Sequence, residues 1–111
     1  MHQSTINVLI DLDEQKIPQN IKWSASDSTA NETQEARAMM LTLWDPTDKT
    51  ALRIDLWTKD MQVEEMKFFV HQTLLTLSDS FEKATGDARM SATMRDFCDY
   101  YAEKMNINPP L

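Results

Sequence analysis

What most constrains the fold of this 111-residue chain is a change of period near Lys59. Before it, apolar residues alternate with polar ones; beyond it, they recur every three or four positions. Alternation places every second side chain on one face of a strand, whereas the longer spacing draws a stripe along a helix. Strands first and helices second is the pattern of an α+β fold.

The first stretch reads as two hairpins. Ile6, Val8, Ile10 and Leu12 alternate with Asn7, Leu9 and Asp11. Asp13-Glu14-Gln15-Lys16 supplies a turn, and Ile17, Ile21 and Trp23 resume the pattern. A four-residue loop sets Leu12 opposite Ile17, Val8 opposite Ile21 and Ile6 opposite Trp23, which brings both apolar sets to one face. Pro18 has no N–H to donate, so it belongs on an edge strand or at a strand's first residue. Ser24 to Gln34 is polar, has little to bury and reads as a loop. Glu35 to Trp44 is ambiguous, since Ala36 to Met40 favour helix by propensity. Its partner decides for a strand: Leu52, Ile54 and Leu56 alternate with Arg53, Asp55 and Trp57 beyond the turn Asp45-Pro46-Thr47-Asp48-Lys49. The register then sets Leu43 opposite Leu52, Leu41 opposite Ile54 and Met39 opposite Leu56.

Asp60 is a suitable N-cap for a helix over Met61 to Thr85, with a seam of Met66, Phe69, Val70, Thr73, Leu74, Leu77, Phe81 and Ala84. Gly86 stands where a glycine ends a helix, and Asp87 can cap the next. The second helix carries Met90, Met94, Phe97, Cys98, Tyr101 and Met105, and Asn108-Pro109-Pro110 stops it. The expectation is a single domain over 1–111. Strands over about 4–24 and 35–59 form a four-stranded antiparallel sheet of two hairpins, and helices over about 61–85 and 87–107 pack on one face.

Composition removes several kinds of chemistry. The chain has one glycine, Gly86, too few for a phosphate-cradling loop, a dinucleotide fingerprint or a nucleophile elbow. One cysteine allows neither an internal disulfide nor a cysteine-based zinc cluster. The net charge is −7 and Lys and Arg nowhere cluster, which argues against nucleic acid as a partner. Uninterrupted apolar runs reach three or four residues, as at Ala38 to Leu41, so direct membrane insertion is not expected. Met1 to Thr5 show no signal-peptide pattern, and a lone thiol suits a reducing cytosol; the expected localisation is cytoplasmic.

Cys98 and His71 are the only soft side chains that could serve as nucleophile and base. Cys98, however, falls in the apolar seam with no cation nearby in sequence to lower its pKa, which is the setting of a structural cysteine. His71, at the flank of its seam, reads as a partly exposed polar residue. The close carboxylates, Glu64 with Glu65, Asp96 with Asp99, and Asp99 with Glu103, alternate with Lys67, Arg95 and Lys104 as solvated ion pairs do. Asp11 and Asp13 flank a turn, where Asp serves the backbone. No catalytic residue, cofactor or metal is expected, and the chain is not expected to be an enzyme.

The most informative feature is an apolar excess on the second hairpin. Its register turns Met40, Thr42, Trp44, Arg53, Asp55 and Trp57 away from the Leu52-Ile54-Leu56 face. Two helices cover only one face of a four-stranded sheet, so the other face needs something against it. The C-terminal tail or the Ser24 to Gln34 loop could fold over it; otherwise it meets a protein partner or another copy of the chain. A domain of this size buries only somewhat over ~60% of its unfolded surface, and assembly would add to its stability. Met40, Trp44, Arg53, Asp55 and Trp57 are therefore the candidate interface, in a homo-oligomer or with a partner of unknown identity.

Long strings add a resemblance. Leu52-Arg53-Ile54-Asp55-Leu56-Trp57-Thr58-Lys59-Asp60-Met61 and Met94 to Lys104 resemble the gliding-motility-associated GldC family. So do Glu65 to Thr85 and Ile21-Lys22-Trp23-Ser24-Ala25. The resemblance implies a small cytoplasmic accessory protein of bacterial gliding with no attributed enzyme activity and no catalytic motif to transfer. Separately, the order of two hairpins and two helices is similar to that of SecB, the tetrameric export chaperone. At the level of fold alone, that likeness raises a holdase for unfolded clients as an alternative.

Overall fold

The structure, a computed structural model, describes residues 2–27 and 32–107. It is α+β, with strands β1 (Ile6–Leu12), β2 (Pro18–Ala25), β3 (Gln34–Ala36), β4 (Ala38–Asp45) and β5 (Thr50–Trp57), then helices α1 (Val63–Thr85) and α2 (Ala88–Lys104). Its contacts fall into two units, Met1–Met61 and Gln62–Leu111.

In the first unit, the expected single four-stranded sheet is replaced by two antiparallel sheets, β1-β2-β3 and β4-β5. The cause is a bend at Arg37, which breaks the continuous strand expected over Glu35 to Trp44. Before the bend, β3 stays on β2, with Ile21 opposite Ala36 and Trp23 opposite Gln34. After it, β4 leaves to pair with β5. The two residues after β5 fill the opening: Thr58 N donates to Arg37 O at 2.7 Å and Lys59 N donates to Pro18 O at 3.2 Å. Thr58 is buried there, and its hydroxyl donates to the Asp60 carboxylate. That hydroxyl, and to a lesser degree the nearby Arg37 guanidinium, hold the Asp60 carboxyl below its ordinary range.

The first hairpin sits two residues from its expected register. Val8 lies opposite Trp23 and Ile6 opposite Ala25, and the ladder is irregular between Asp11 and Leu12, where Leu12 meets Pro18. The turn explains the shift, because Asp13 Oδ1 accepts from both Gln15 N (2.8 Å) and Ile17 N (2.9 Å). This Asx-type closure draws Ile17 into the loop. Slipping by two preserves the faces, so Val8, Ile10, Ile21 and Trp23 still share one side. Pro18 is the first residue of its strand, as one of its two expected positions required. The second hairpin has the expected register, including Leu43–Leu52, Leu41–Ile54 and Met39–Leu56. Its turn is held by Asp45 Oδ1, which accepts from Thr47 N at 2.9 Å.

In the second unit, α1 starts at Gln62 as N-cap rather than at Asp60, with Glu65 Oε1 accepting from Gln62 N at 3.4 Å. Asp60 is engaged with Thr58 instead. Gly86 ends α1 in the left-handed region (φ 73°), and Asp87 caps α2 by accepting from Met90 N. The buried side chains of the two helices are His71, Ser78, Ser91, Cys98 and Ala102. They are mostly small, and the seam lies to one side of the expected one, so that Leu77, Met90 and Phe97 are exposed. An ion cluster holds the helices near their connection: Arg95 Nη2 stands 2.8 Å from Asp79 Oδ1 and 3.0 Å from Glu82 Oε1. Ser91 Oγ donates to Glu82 at 2.8 Å. The expected stop at Asn108-Pro109-Pro110 lies outside the described residues.

Candidate interaction surface

Strand alternation and the β4–β5 register place all five candidate residues on one face of a two-stranded ribbon. Opposite pairs on that face run Ala38–Trp57, Met40–Asp55, Thr42–Arg53 and Trp44–Ala51. Trp44 is 65% exposed and Trp57 56%, while Met40 is half-buried. Six residues of strand separate the two tryptophan positions, a distance of about 20 Å, so the rings cap opposite ends of the face rather than touch. Between them Arg53 and Asp55 pair as a two-pronged fork, with Nη2–Oδ1 at 3.0 Å and Nε–Oδ2 at 3.2 Å.

The opposite face of the ribbon also carries exposed apolar side chains. Leu43 is 59% exposed, Leu52 56% and Ile54 52%. A two-stranded hairpin is marginally stable alone, and this one carries large apolar side chains on both faces. The sequence carried the signal as an unbroken apolar segment, Ala38 to Leu41, next to the alternating β5. Exposed large apolar residues continue elsewhere, with Ile6 and Leu9 on β1 and Met90, Phe97 and Tyr100 on α2. Positions 90, 97 and 100 fall on one side of the helix, and the Phe97 and Tyr100 rings lie 6.1 Å apart.

The other sequence-derived candidates are not brought into a reactive arrangement. Cys98 is buried, and burial, followed by the neighbouring Asp99 charge, pushes its thiol pKa up, away from the thiolate a nucleophile requires. His71 is fully buried, not partly exposed as its sequence position suggested. Among the described residues neither of its ring nitrogens has a hydrogen-bond partner, so it forms no dyad with Cys98. It instead stacks on Tyr101 at 5.9 Å, while the Tyr101 hydroxyl donates to Lys67 O at 3.1 Å. Among the described residues, no group of three His, Cys, Asp or Glu side chains could hold a metal ion. A polar cleft of about 320 Å³ lies at the Arg37 bend, lined by Gln19, Asn20, Glu35, Arg37, Thr58 and Asp60 among others. No helix among the described residues is long and apolar enough to cross a membrane.

Neither a curated protein nor a solved structure matches the chain. The profile of a family described as gliding motility-associated protein GldC-like matches residues 18–107, which take in β2 to β5 and both helices. The match spans most of the chain, including the ribbon and all five candidate residues, and the protein belongs to the GldC-like family.

Proposed function

We propose that this GldC-like protein is a non-enzymatic cytoplasmic accessory factor of gliding motility that works by protein–protein contact and assembles with copies of itself. The observation that carries the reading is the β4–β5 ribbon, with Trp44 and Trp57 exposed on one face and Leu43, Leu52 and Ile54 on the other. Isolated exposed apolar residues are ordinary, but a contiguous two-sided patch is the mark of an interaction surface. Trp44, Trp57 and Met40 are its anchors, and the Arg53–Asp55 fork gives it polar orientation. The test is the double variant Trp44→Ala with Trp57→Ala, followed by light scattering on a sizing column and by capture of partners from the native cell. Loss of two aromatic anchors is expected to weaken association by at least about thirtyfold, with the circular dichroism spectrum unchanged. Assembly and capture like those of the unaltered protein would refute the reading.

The extent of exposed apolar surface favours one second reading, a holdase that shelters unfolded chains. It requires that the protein suppress aggregation of a model client with little preference among clients. No suppression at high molar excess would remove it.

A further inference from the structure

The proposed self-association has a specific geometry available to it, and the inference that follows rests on that reading. In an antiparallel ladder, successive residues turn their N–H and C=O groups alternately toward the partner strand and away from it. The Thr58 N to Arg37 O bond continues the β4–β5 register by one more pair. Even-numbered residues of β5 therefore bond β4, and Ala51, Arg53, Asp55 and Trp57 turn their backbone groups to the outer edge. Among the described residues no strand pairs with that edge; only its far end is engaged, where Lys59 N meets Pro18 O.

The side chains along this edge are self-complementary about Ile54. Reading outward from it, Arg53 balances Asp55, Leu52 matches Leu56, and small Ala51 stands against large Trp57. An antiparallel strand with that order fits a second copy of itself across a two-fold axis at Ile54. We propose that β5 pairs with β5 of a second copy of this chain, joining two ribbons into one four-stranded sheet ordered β4-β5-β5-β4. Arg53 of each copy then faces Asp55 of the other in a hydrogen-bonded pair, and Ile54 faces Ile54 in a non-hydrogen-bonded pair. Leu52 packs beside Leu56, and Trp57 lies over Ala51. The parity agrees, because the odd-numbered residues required to exchange backbone bonds are the ones whose groups face outward. The interface is isologous, as two-fold dimers require. It also removes the open edge of β5, which is otherwise a template for uncontrolled pairing.

Charge reversal tests the register. Arg53→Asp puts like charges opposite one another twice in each dimer, and so does Asp55→Arg, so each variant alone is expected to dimerise at least about tenfold more weakly. Mixing the two restores every opposite-charge pair, because a chain with aspartate at both positions then meets a chain with arginine at both. The mixture is therefore expected to dimerise when neither variant does. Loss of the fork within each chain would weaken both variants but would not be cured by mixing. A second measurement does not depend on charge. With Cys98 replaced by alanine, Ile54→Cys is expected to cross-link to itself under mild oxidation, since facing Cα atoms in such a pair lie about 4.5 Å apart. Thr50→Cys, far from the axis, is expected not to. A dimeric protein that shows neither heterodimer rescue nor the Ile54→Cys cross-link would overturn this pairing while leaving self-association standing. A monomer at all concentrations would overturn both.

Discussion

Replacing His71 with leucine should make the protein more stable. His71 is 1% exposed, and neither Nδ1 nor Nε2 has a hydrogen-bond partner among the described residues. Each ring nitrogen gives up its bonds to water on folding and gains none in return, at a cost of about 1–3 kcal/mol per unsatisfied group. Leucine is close to histidine in volume and has no polar atoms, so it relieves both penalties. Against this stands the loss of the ring stack on Tyr101, centroids 5.9 Å apart and planes 14° apart, worth about 0.5–1.5 kcal/mol. The balance is a net gain of about 0.5–5 kcal/mol, or a rise in Tm of a few degrees or more for a chain of this length. Urea denaturation followed by circular dichroism, with the slope checked for constancy, measures it. A loss of stability would refute the reasoning, because it would mean that the imidazole nitrogens make bonds leucine cannot replace.

The connection between the helices supplies a second case. Gly86 has φ 73° with nothing within 4 Å of an added Cβ, so Gly86→Ala should cost only the left-handed penalty, a net of about 0.5–1.5 kcal/mol by the same assay. Lys49 also has positive φ (53°), and Lys49→Gly should raise the melting temperature slightly by relieving that strain. The Ser91 hydroxyl, and then the Arg95 guanidinium, hold the Glu82 carboxyl below its ordinary value of 4.5. A depressed folded-state pKa contributes stability in full above the unfolded value, and the contribution is lost as pH falls through the folded one. The urea midpoint should therefore fall on acidification below about pH 4.5, with a smaller fall in Ser91→Ala. Cys98, buried with its thiol pKa raised, should react slowly with a thiol reagent in native protein and rapidly after unfolding.

The elements governed by local rules were legible from sequence. The β4–β5 register followed from alternation on both sides of a turn, and the helix break followed from Gly86 and Asp87. The five candidate residues fall on one ribbon face because strand parity alone decides it. Two features depended on single side-chain bonds or bends that no periodicity encodes. Asp13 takes up two backbone N–H groups and moves the first hairpin by two residues. Arg37 bends the chain without a glycine or proline to announce it, dividing one expected sheet into two. The helix seam departs from expectation because side-chain size does not decide which stripe turns inward. The structure buries small side chains and the His71 ring, leaving Leu77, Met90 and Phe97 outside. Leu52 and Ile54, on the ribbon face that alternation marks as apolar, are exposed.

If the ribbon is completed by a second copy, as proposed, its departure from the first sheet at Arg37 ties the protein's lifetime to its abundance. At low copy number its strands would open, since a two-stranded ribbon is only marginally stable alone, and an open ribbon is a substrate for proteases. Each association event withdraws molecules from that open pool by mass action, so the fraction surviving rises with the total present. A cell could then set the amount of this factor through synthesis alone: sparsely made chains would be the first degraded.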